Sequence, residues 1–212
     1  MDHQQLVASI LAGAETLGQP LSREQADRQA RLLEELSRWS ARMNLTAIRE
    51  LPEMVAGHVL DSLAVRPFLR GERILDIGTG AGFPGLPLAI VEPQRRFWLL
   101  DSNARKIAFI QHVVGQLGLD NVAAVQSRAE SYVAEQGFAT VIARAVATIP
   151  QLIDWAGHLV DEAGIMLALK GRFPHEELAG VPQGWSYTVD PLDVPGLEQR
   201  ERHVVILKRR TE

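Results

Sequence analysis

The chain has 212 residues, 46% of them hydrophobic and 23% charged, a balance typical of a globular protein with one sizeable core. It contains no cysteine, which excludes disulfides, thiolate zinc sites and cysteine nucleophiles. The net charge of −4 and the pI near 5.9 exclude a protein that is basic all over, but not one with a local basic face. Because no apolar run is long enough for a membrane span and the first residues do not form a signal peptide, we expect a cytoplasmic protein.

Helices are predicted before the first strand. Apolar residues recur at helical spacing over residues 6–17, and Gly18 is a typical C-terminal stop. A second helix begins at Ser22, where Gln25 completes a capping box, and a third is expected over residues 53–69. We therefore predict an N-terminal helical extension over residues 1–70, whose first two helices are either a packing cap on the sheet or a lid that faces a substrate.

Polar side chains stand among apolar ones after the second helix. Asn44 and Thr46 are typical of a helix cap or a turn. His58 and Asp61 share a helix face, so their side chains can hydrogen-bond, although such a pair is often structural. A Ser-His-Asp hydrolase is disfavoured because Ser62 follows Asp61 within a helix and has no strained turn around it.

The chain is organised around residues 74–85, where an apolar run ends in glycines and a helix follows over residues 86–91. This order is typical of a nucleotide-type site, because glycines permit positive φ and let a ligand approach the main chain. The spacing Gly80-x-Gly82-x-x-Gly85 matches the dinucleotide fingerprint. Asp76, two residues before the first glycine, instead favours a ligand that carries a cation, such as S-adenosylmethionine. A tight turn without a ligand is the alternative.

Strands and helices then alternate to the end of the chain. We expect strands over residues 96–100, 121–125, 139–143 and 163–169, and helices over residues 104–117 and 149–160. Two last strands, over residues 185–189 and 203–207, have no helix between them and indicate an antiparallel hairpin on the sheet edge. The pattern predicts an α/β, Rossmann-like fold with a mostly parallel sheet over residues 71–212, in one compact unit with the extension.

Polar residues gather at the carboxyl ends of the predicted strands, where such sheets bind ligands. Asp101 follows the glycines at the separation at which a carboxylate meets ribose hydroxyls, and it also stands where the next helix is capped. Ser127-Arg128-Ala129-Glu130 is expected at a helix start. The residues at this edge are Gly78, Gly80, Phe83, Asp101, Ala129, Glu130, Arg144 and Lys170.

Several enzyme classes lack their motifs here. Short-chain dehydrogenases need Tyr-x-x-x-Lys, but Tyr132 and Tyr187 are followed four positions later by Gln136 and Pro191. Methyltransferases of exocyclic amines usually carry Asp/Asn-Pro-Pro-aromatic after the fourth strand, where this chain has Ala143-Arg144-Ala145-Val146, and cytosine-C5 enzymes need a cysteine. Methylation of an atom that is already nucleophilic, such as guanine N7, needs no general base and agrees with the sequence.

Eight motifs follow one another in a distinctive order. They are Asn44-Leu45-Thr46-Ala47-Ile48, His58-Val59-Leu60-Asp61-Ser62-Leu63, the glycine segment through Pro84-Gly85, Leu100-Asp101-Ser102, Ser127-Arg128-Ala129-Glu130, Arg144-Ala145, Leu169-Lys170-Gly171 and Glu201-Arg202-His203. In this order, over about residues 32–208, they resemble the bacterial ribosomal RNA small subunit methyltransferase G family, also called glucose-inhibited division protein B. The resemblance implies a class I S-adenosylmethionine-dependent methyltransferase fold and methylation of N7 of one guanine in small-subunit (16S) ribosomal RNA.

The resemblance also implies roles for single residues. Contacts with S-adenosylmethionine fall to Gly78, Phe83, Asp101 (at the ribose), Ala129, Glu130 and Arg144, to which the glycine segment adds Asp76 and Gly80. The residues that would face the RNA or shape the pocket are Asn44, His58, Lys170, Arg202 and His203. We take as catalytic candidates Arg144, Lys170, Asn44 and His58, and as RNA contacts Arg172, Arg202 and His203.

The expected partner is small-subunit ribosomal RNA or the ribosomal subunit, and we expect a monomer without a metal or a membrane. Basic residues that would form a rim are Arg42, Arg49, Lys170, Arg172, Arg200, Arg202, Lys208, Arg209 and Arg210. Glu198 and Glu201 dilute their charge. Two alternatives stay open: a non-catalytic module that binds adenosylmethionine or a nucleotide, and an NAD(P)-dependent oxidoreductase.

Overall fold

The computed structural model describes residues 1–210 and begins with two capped helices. Helix α1 (His3–Thr16) starts at a capping box between Asp2 and Gln5. Helix α2 (Arg23–Met43) starts at the predicted box between Ser22 and Gln25. The apolar face of α2 belongs to the core cluster that also covers one face of the sheet. Of the two expectations for these helices, the structure therefore agrees with a packing cap.

The next helical segment is not the single helix predicted over residues 53–69. It consists of α3 (Leu51–Met54), a π-helix (Val55–Leu60), α4 (Asp61–Leu63) and a 3₁₀ turn (Arg66–Phe68). Gly57 lies in the π-helix, where a Cβ atom would come within 2.6 Å of the Ile48 side chain. Pro67 cannot donate a backbone hydrogen bond, which favours the short final turn. The wide π turn is a feature that often marks functional sites.

Seven strands form one sheet. They are β1 (Arg73–Ile77), β2 (Arg96–Asp101), β3 (Val122–Gln126), β4 (Phe138–Arg144), β5 (Val160–Lys170), β6 (Trp185–Pro191) and β7 (His203–Arg209). The order across the sheet is β3-β2-β1-β4-β5-β7-β6. The first five strands are parallel, and β7 is antiparallel to both β5 and β6. The predicted parallel sheet and its antiparallel edge hairpin are confirmed, with β7 inserted between β5 and β6.

Both faces of the sheet are covered by helices. Along β1, Ile74 belongs to one core cluster, while Leu75 and Ile77 belong to the other, which is the alternation expected of a buried strand. Helices α5 (Gly85–Val91) and α6 (Ala104–Leu117) pack on the first face together with α2. Helices α7 (Ile149–Ala156) and α8 (His175–Ala179) pack on the second.

Some boundaries differ from the predictions. The helix expected over residues 149–160 gives way to a 3₁₀ turn (Gly157–Leu159), and α8 was not predicted. The helix start expected at residues 127–130 is a single 3₁₀ turn (Ala129–Ser131). Within residues 1–210 none of the helices combines the length and apolarity needed to cross a membrane. The division at residue 70 stays a prediction, and residues 211–212 of the predicted domain lie outside the described residues.

Candidate active site

The turn after β1 contains the backbone conformations that only glycine adopts easily. Gly78, Gly80 and Gly82 have φ of 60°, 63° and 89°. A Cβ atom on Gly80 would meet nothing within 4 Å, whereas one on Gly78 would lie 2.6 Å from a methyl group of Val146. Gly80 therefore borders open space that a ligand can fill, and Gly78 allows the turn to pack against Val146.

Asp76 lies beneath this turn rather than in the wall of a cavity. Its Oδ2 accepts hydrogen bonds from the Thr79 hydroxyl (2.6 Å) and from the backbone N–H of Gly85 (2.8 Å). The side chain is fully buried, and its Oδ1 has no hydrogen-bond partner among residues 1–210. Burial raises the pKa of this carboxyl to about 7. Asp76 shapes the turn, and its predicted contact with the cofactor stays a prediction.

Asp101 connects the glycine turn to the start of α6. Its Oδ2 accepts hydrogen bonds from the backbone N–H of Gly80 (3.0 Å) and from the Lys106 ammonium (3.3 Å), and its Oδ1 accepts one from the N–H of Asn103 (2.8 Å). The residue that caps α6 is Asn103, whose Oδ1 accepts from the N–H of Arg105 (2.9 Å). Asp101 therefore holds the glycine turn against the start of α6, and Asn103 rather than Asp101 caps that helix.

A first cavity of about 340 Å³ lies at the carboxyl ends of β1, β2, β3 and β4. Its wall includes four of the residues assigned to the cofactor, namely Gly78, Asp101, Ala129 and Glu130. Gly78, Lys106 and Ala145 also line a second, larger cavity. The two cavities are therefore adjacent, and the Asp101 carboxylate lies in the wall of the smaller one.

The larger cavity, of about 540 Å³, collects residues from distant parts of the chain. The sequence-predicted residues in its wall are His58, Gly78, Gly80, Phe83, Arg144, Lys170, Arg202 and His203. Three predicted residues lie outside both cavities, namely Asp76 beneath the glycine turn, Asn44 and Arg172. The Asn44 side chain, at the left-handed C-cap of α2, accepts a hydrogen bond from Arg49 (2.8 Å), and Arg172 lines a separate cavity of about 400 Å³.

Asp61 is the centre of the larger cavity's charge network, a role that sequence reasoning missed. Its Oδ2 accepts a hydrogen bond from Arg144 and its Oδ1 accepts one from Arg202, each at 2.9 Å. The carboxylate is buried, and Arg144 also donates to the carbonyl of Gly57 (3.2 Å). His58 and Asp61, whose side chains could have hydrogen-bonded on one helix face, have different partners among residues 1–210: Thr46 for His58 and two arginines for Asp61. The motif over residues 58–63 includes Asp61, but nothing in it indicates that the partners of Asp61 are Arg144 and Arg202, 83 and 141 residues away.

His58 is a neutral aromatic wall residue. Its Nε2 shares a hydrogen bond with the Thr46 hydroxyl (2.8 Å), and its ring stacks on Phe83 with 4.6 Å between centroids. Burial and the nearby Arg144 charge lower its pKa to about 4. Its Nδ1 is buried without a hydrogen-bond partner within the described part of the chain. At neutral pH the ring can therefore contact a flat, uncharged ligand group.

Lys170 is occupied by structural partners. Its ammonium donates to the carbonyl of Ala147 (2.8 Å) and pairs with Glu177 (2.7 Å), which in turn accepts from the N–H of Ile149 (2.7 Å). These contacts join the end of β5 to the starts of α7 and α8. A catalytic role for Lys170 stays a prediction.

The arrangement fits S-adenosylmethionine chemically. Its ribose hydroxyls need an acceptor, which the Asp101 carboxylate supplies, and the ammonium of Lys106 that now contacts Asp101 is partly exposed and can turn away. The open space beside Gly80 allows a ligand to touch the main chain. The wall that remains, built from Phe83, His58 and two arginines, suits an aromatic acceptor.

Comparison with known proteins decides the family. Residues 25–205 match the sequence model of the family GidB, rRNA small subunit methyltransferase G. The chain belongs to this family. The ribosomal RNA small subunit methyltransferase G of Methylococcus capsulatus (strain Bath) is 47% identical over 196 residues, which are 92% of this chain and 95% of that protein. The protein of the same name from Legionella pneumophila (strain Corby) is 47% identical over 171 residues, 81% of each chain.

A solved structure supports the fold of this GidB-family chain. The S-adenosylmethionine-dependent methyltransferase from Thiobacillus denitrificans, in complex with S-adenosyl-L-homocysteine, superposes with a TM-score of 0.53. The match covers 71% of this chain and 90% of that one at 14% identity, which speaks for the fold alone. The predicted class I methyltransferase fold and the family resemblance are confirmed.

Proposed function

We propose that this chain transfers a methyl group from S-adenosylmethionine to N7 of one guanine in small-subunit ribosomal RNA. Family membership supports the reaction class and the RNA. The observation that carries the proposal for this chain is the meeting, at one sheet edge, of the glycine turn with Asp101 and the Arg144–Asp61–Arg202 cluster. We further propose that it acts in the cytoplasm and as a monomer.

The cofactor half of the site would hold S-adenosylmethionine through the Asp101 carboxylate and the main chain at Gly78 and Gly80. Ala129 and Glu130 border the same cavity and would lie beside the adenosine. The bound cofactor supplies a methyl group on a sulfonium, which is electrophilic without help from a metal or a base. The contribution of the protein is to hold the two reactants in line and to exclude water.

The substrate half suits a guanine whose N7 is the acceptor. N7 carries a lone pair and no proton, so the reaction needs no general base, in agreement with a His58 that is neutral and hydrogen-bonded to Thr46. The stacked His58 and Phe83 rings offer a flat contact for the base. Guanidinium N–H groups of Arg144 or Arg202 can donate to guanine O6, which leaves N7 free for methyl transfer.

The deciding experiment measures methyl transfer directly. The purified protein, tritium-labelled S-adenosylmethionine and either 16S ribosomal RNA or small subunits from cells that lack this protein are incubated, and mass spectrometry maps the product. We expect one 7-methylguanosine, which is absent from the cells without the protein. Label on another base or another atom would contradict the proposal. Binding of adenosylhomocysteine without any transfer would leave only the non-catalytic module.

A further inference from the structure

A third cavity, of about 790 Å³, lies beside the larger cavity of the active site. Leu192, Arg202 and His203 line both, so the two spaces adjoin. The rest of its wall comes from the end of β6 and the loop that leads to β7, from Phe173 after β5, from His175 at the start of α8, and from Thr16 at the end of α1. Its volume is in the range of pockets that bind small molecules or single nucleotides. An RNA strand that places one nucleotide in the active site therefore has space for a second nucleotide in the adjoining cavity.

Phe173 gives this cavity an exposed aromatic face. Its side chain is 39% exposed, and its ring centroid lies 4.4 Å from that of His175 and 5.5 Å from that of His203. It belongs to neither core cluster, although it follows the buried strand β5 by only three residues. Exposed aromatic rings near a nucleic-acid site are the usual surfaces on which unpaired bases stack. His203 adds a buried Nδ1 that has no hydrogen-bond partner among residues 1–210.

The charged residues around the aromatic cavity differ from those around the cavity beside it, which suggests where the base and the phosphate of a nucleotide would lie. The aromatic cavity contains Asp193, Glu198 and Glu201 against two arginines, which disfavours a phosphate there. The adjoining cavity of about 400 Å³ has Arg172, Arg200 and Arg202 against Glu201 alone. Neither Arg172 nor Arg200 makes an ion pair with a residue in the described part of the chain. A nucleotide thus fits with its base on Phe173 and its phosphate toward Arg172 and Arg200.

We propose that this aromatic cavity is a subsite for an unpaired nucleotide that neighbours the target guanine, with its base stacked on Phe173 between His175 and His203. The subsite rests on the proposed RNA substrate, and it deepens that proposal by requiring a single-stranded segment of at least two nucleotides. A free guanine nucleotide would fill the active-site cavity only, so the subsite would let the enzyme discriminate RNA from free guanine nucleotides.

The first test compares two exposed aromatic residues by steady-state kinetics with ribosomal RNA. Phe173→Ala is expected to raise KM for RNA about tenfold, the size of one lost stacking contact, while kcat and the Kd for adenosylhomocysteine stay within about twofold. Phe173→Trp should restore KM because it keeps the stacking surface. Tyr187→Ala removes an aromatic ring that is 45% exposed on β6 and outside the cavity, and it should leave KM unchanged. An unchanged KM in Phe173→Ala, or an equal rise in Tyr187→Ala, would overturn the subsite.

The second test does not depend on methyl transfer. A short single-stranded RNA oligonucleotide carries 2-aminopurine next to its only guanine, and its fluorescence is titrated with protein. We expect quenching by the wild type and by Phe173→Trp, and at least a tenfold weaker titration for Phe173→Ala. Quenching by a protein that transfers no methyl group to 16S ribosomal RNA or small subunits would keep the subsite and contradict the proposed reaction. A wild-type protein that leaves the fluorescence unchanged would overturn the subsite whatever its activity.

Discussion

The two halves of the active site are built in different ways. The cofactor half joins the glycine turn after β1 to the ends of the neighbouring strands β2, β3 and β4, and its key contact joins the N–H of Gly80 to Asp101, 21 residues apart. The substrate half consists of side chains from three distant segments, and its key contacts join Asp61 to Arg144 and Arg202, 83 and 141 residues away. The first half requires only that β1 to β4 pair in the sheet, whereas the second also requires the N-terminal helices and the loop before β7 to be in place.

This difference implies that the two halves respond differently to mutation. A glycine turn tolerates the loss of one contact because several backbone bonds hold it. A buried charge cluster does not, since removal of its only carboxylate leaves two guanidinium groups without a counter-charge. The predictions below use that contrast.

The largest effect on methyl transfer is expected for Asp61→Asn. It should lower the free energy of unfolding by about 3 kcal/mol, because two partly buried arginines lose their shared carboxylate. It should also lower methyl transfer at least about a hundredfold, an effect of about 2.7 kcal/mol on the reaction. Urea denaturation and tritium transfer measure the two quantities.

Glu92→Gln is a matched control for Asp61→Asn. Glu92 is also a buried carboxylate with two arginine partners, Arg66 at 2.6 Å and Arg95 at 2.9 Å, but it lines neither cavity of the active site. We expect a similar loss of stability with methyl transfer nearly intact at a temperature where the variant is folded. Equal loss of activity in both variants would show that Asp61 acts only through stability.

Asp76 and His58, two buried groups with shifted pKa values, should change the stability of the protein in opposite directions as pH changes. The pKa of Asp76 is raised from 3.8 to about 7, so its contribution to stability is present below about pH 4 and is lost as pH rises toward 7, by up to about 4 kcal/mol. The pKa of His58 is lowered from 6.5 to about 4, so its contribution is present above pH 6.5 and falls by about 3 kcal/mol as pH drops to 4.

Single variants separate these two contributions. Across pH 4–7 in urea, Asp76→Asn should remove the loss of stability with rising pH, and His58→Gln should remove the loss with falling pH. The cofactor is left out so that the buried groups keep their own pKa values. Identical pH profiles for both variants and the wild type would refute the assignment.

Asp101→Ala is expected to weaken binding of adenosylhomocysteine by about 1–3 kcal/mol, the range for polar groups left unpaired. Isothermal titration calorimetry measures this affinity. Asp120→Ala, at an exposed aspartate away from both cavities, is the control and should bind normally. An unchanged affinity in Asp101→Ala would argue against its predicted contact with the ribose.

The smallest effects separate two glycines of one turn. Gly80→Ala should cost about 1–2 kcal/mol of stability for its positive φ and should also weaken cofactor binding, because its methyl group enters open cavity space. Gly78→Ala should cost more stability because its methyl group also meets Val146. Thermal unfolding and calorimetry with adenosylhomocysteine are run on both. A larger stability loss in Gly80→Ala would reverse the roles given to the two positions.

Short-range features were predictable from residues close in the chain. Ser22 and Gln25 marked the start of α2, and the observed bounds of α6 equal those predicted, residues 104–117. Failures occurred where tertiary contacts override local preference. The helix expected over residues 53–69 is broken by a π turn at Gly57, which approaches Ile48, and the chain after β3 makes only one 3₁₀ turn around Ala129.

The sequence by itself determined the strand–glycine–helix unit and the capping box of α2, because each depends on periodicity or on hydrogen bonds within a few residues. The ligand edge followed from the alternation of strands and helices along the chain. Only the tertiary structure decided that β7 lies between β5 and β6, that Lys170 is held by Glu177, and that Asp61 pairs with Arg144 and Arg202. A charged side chain can meet many partners of opposite sign, and the fold selects one of them by the segments it brings together.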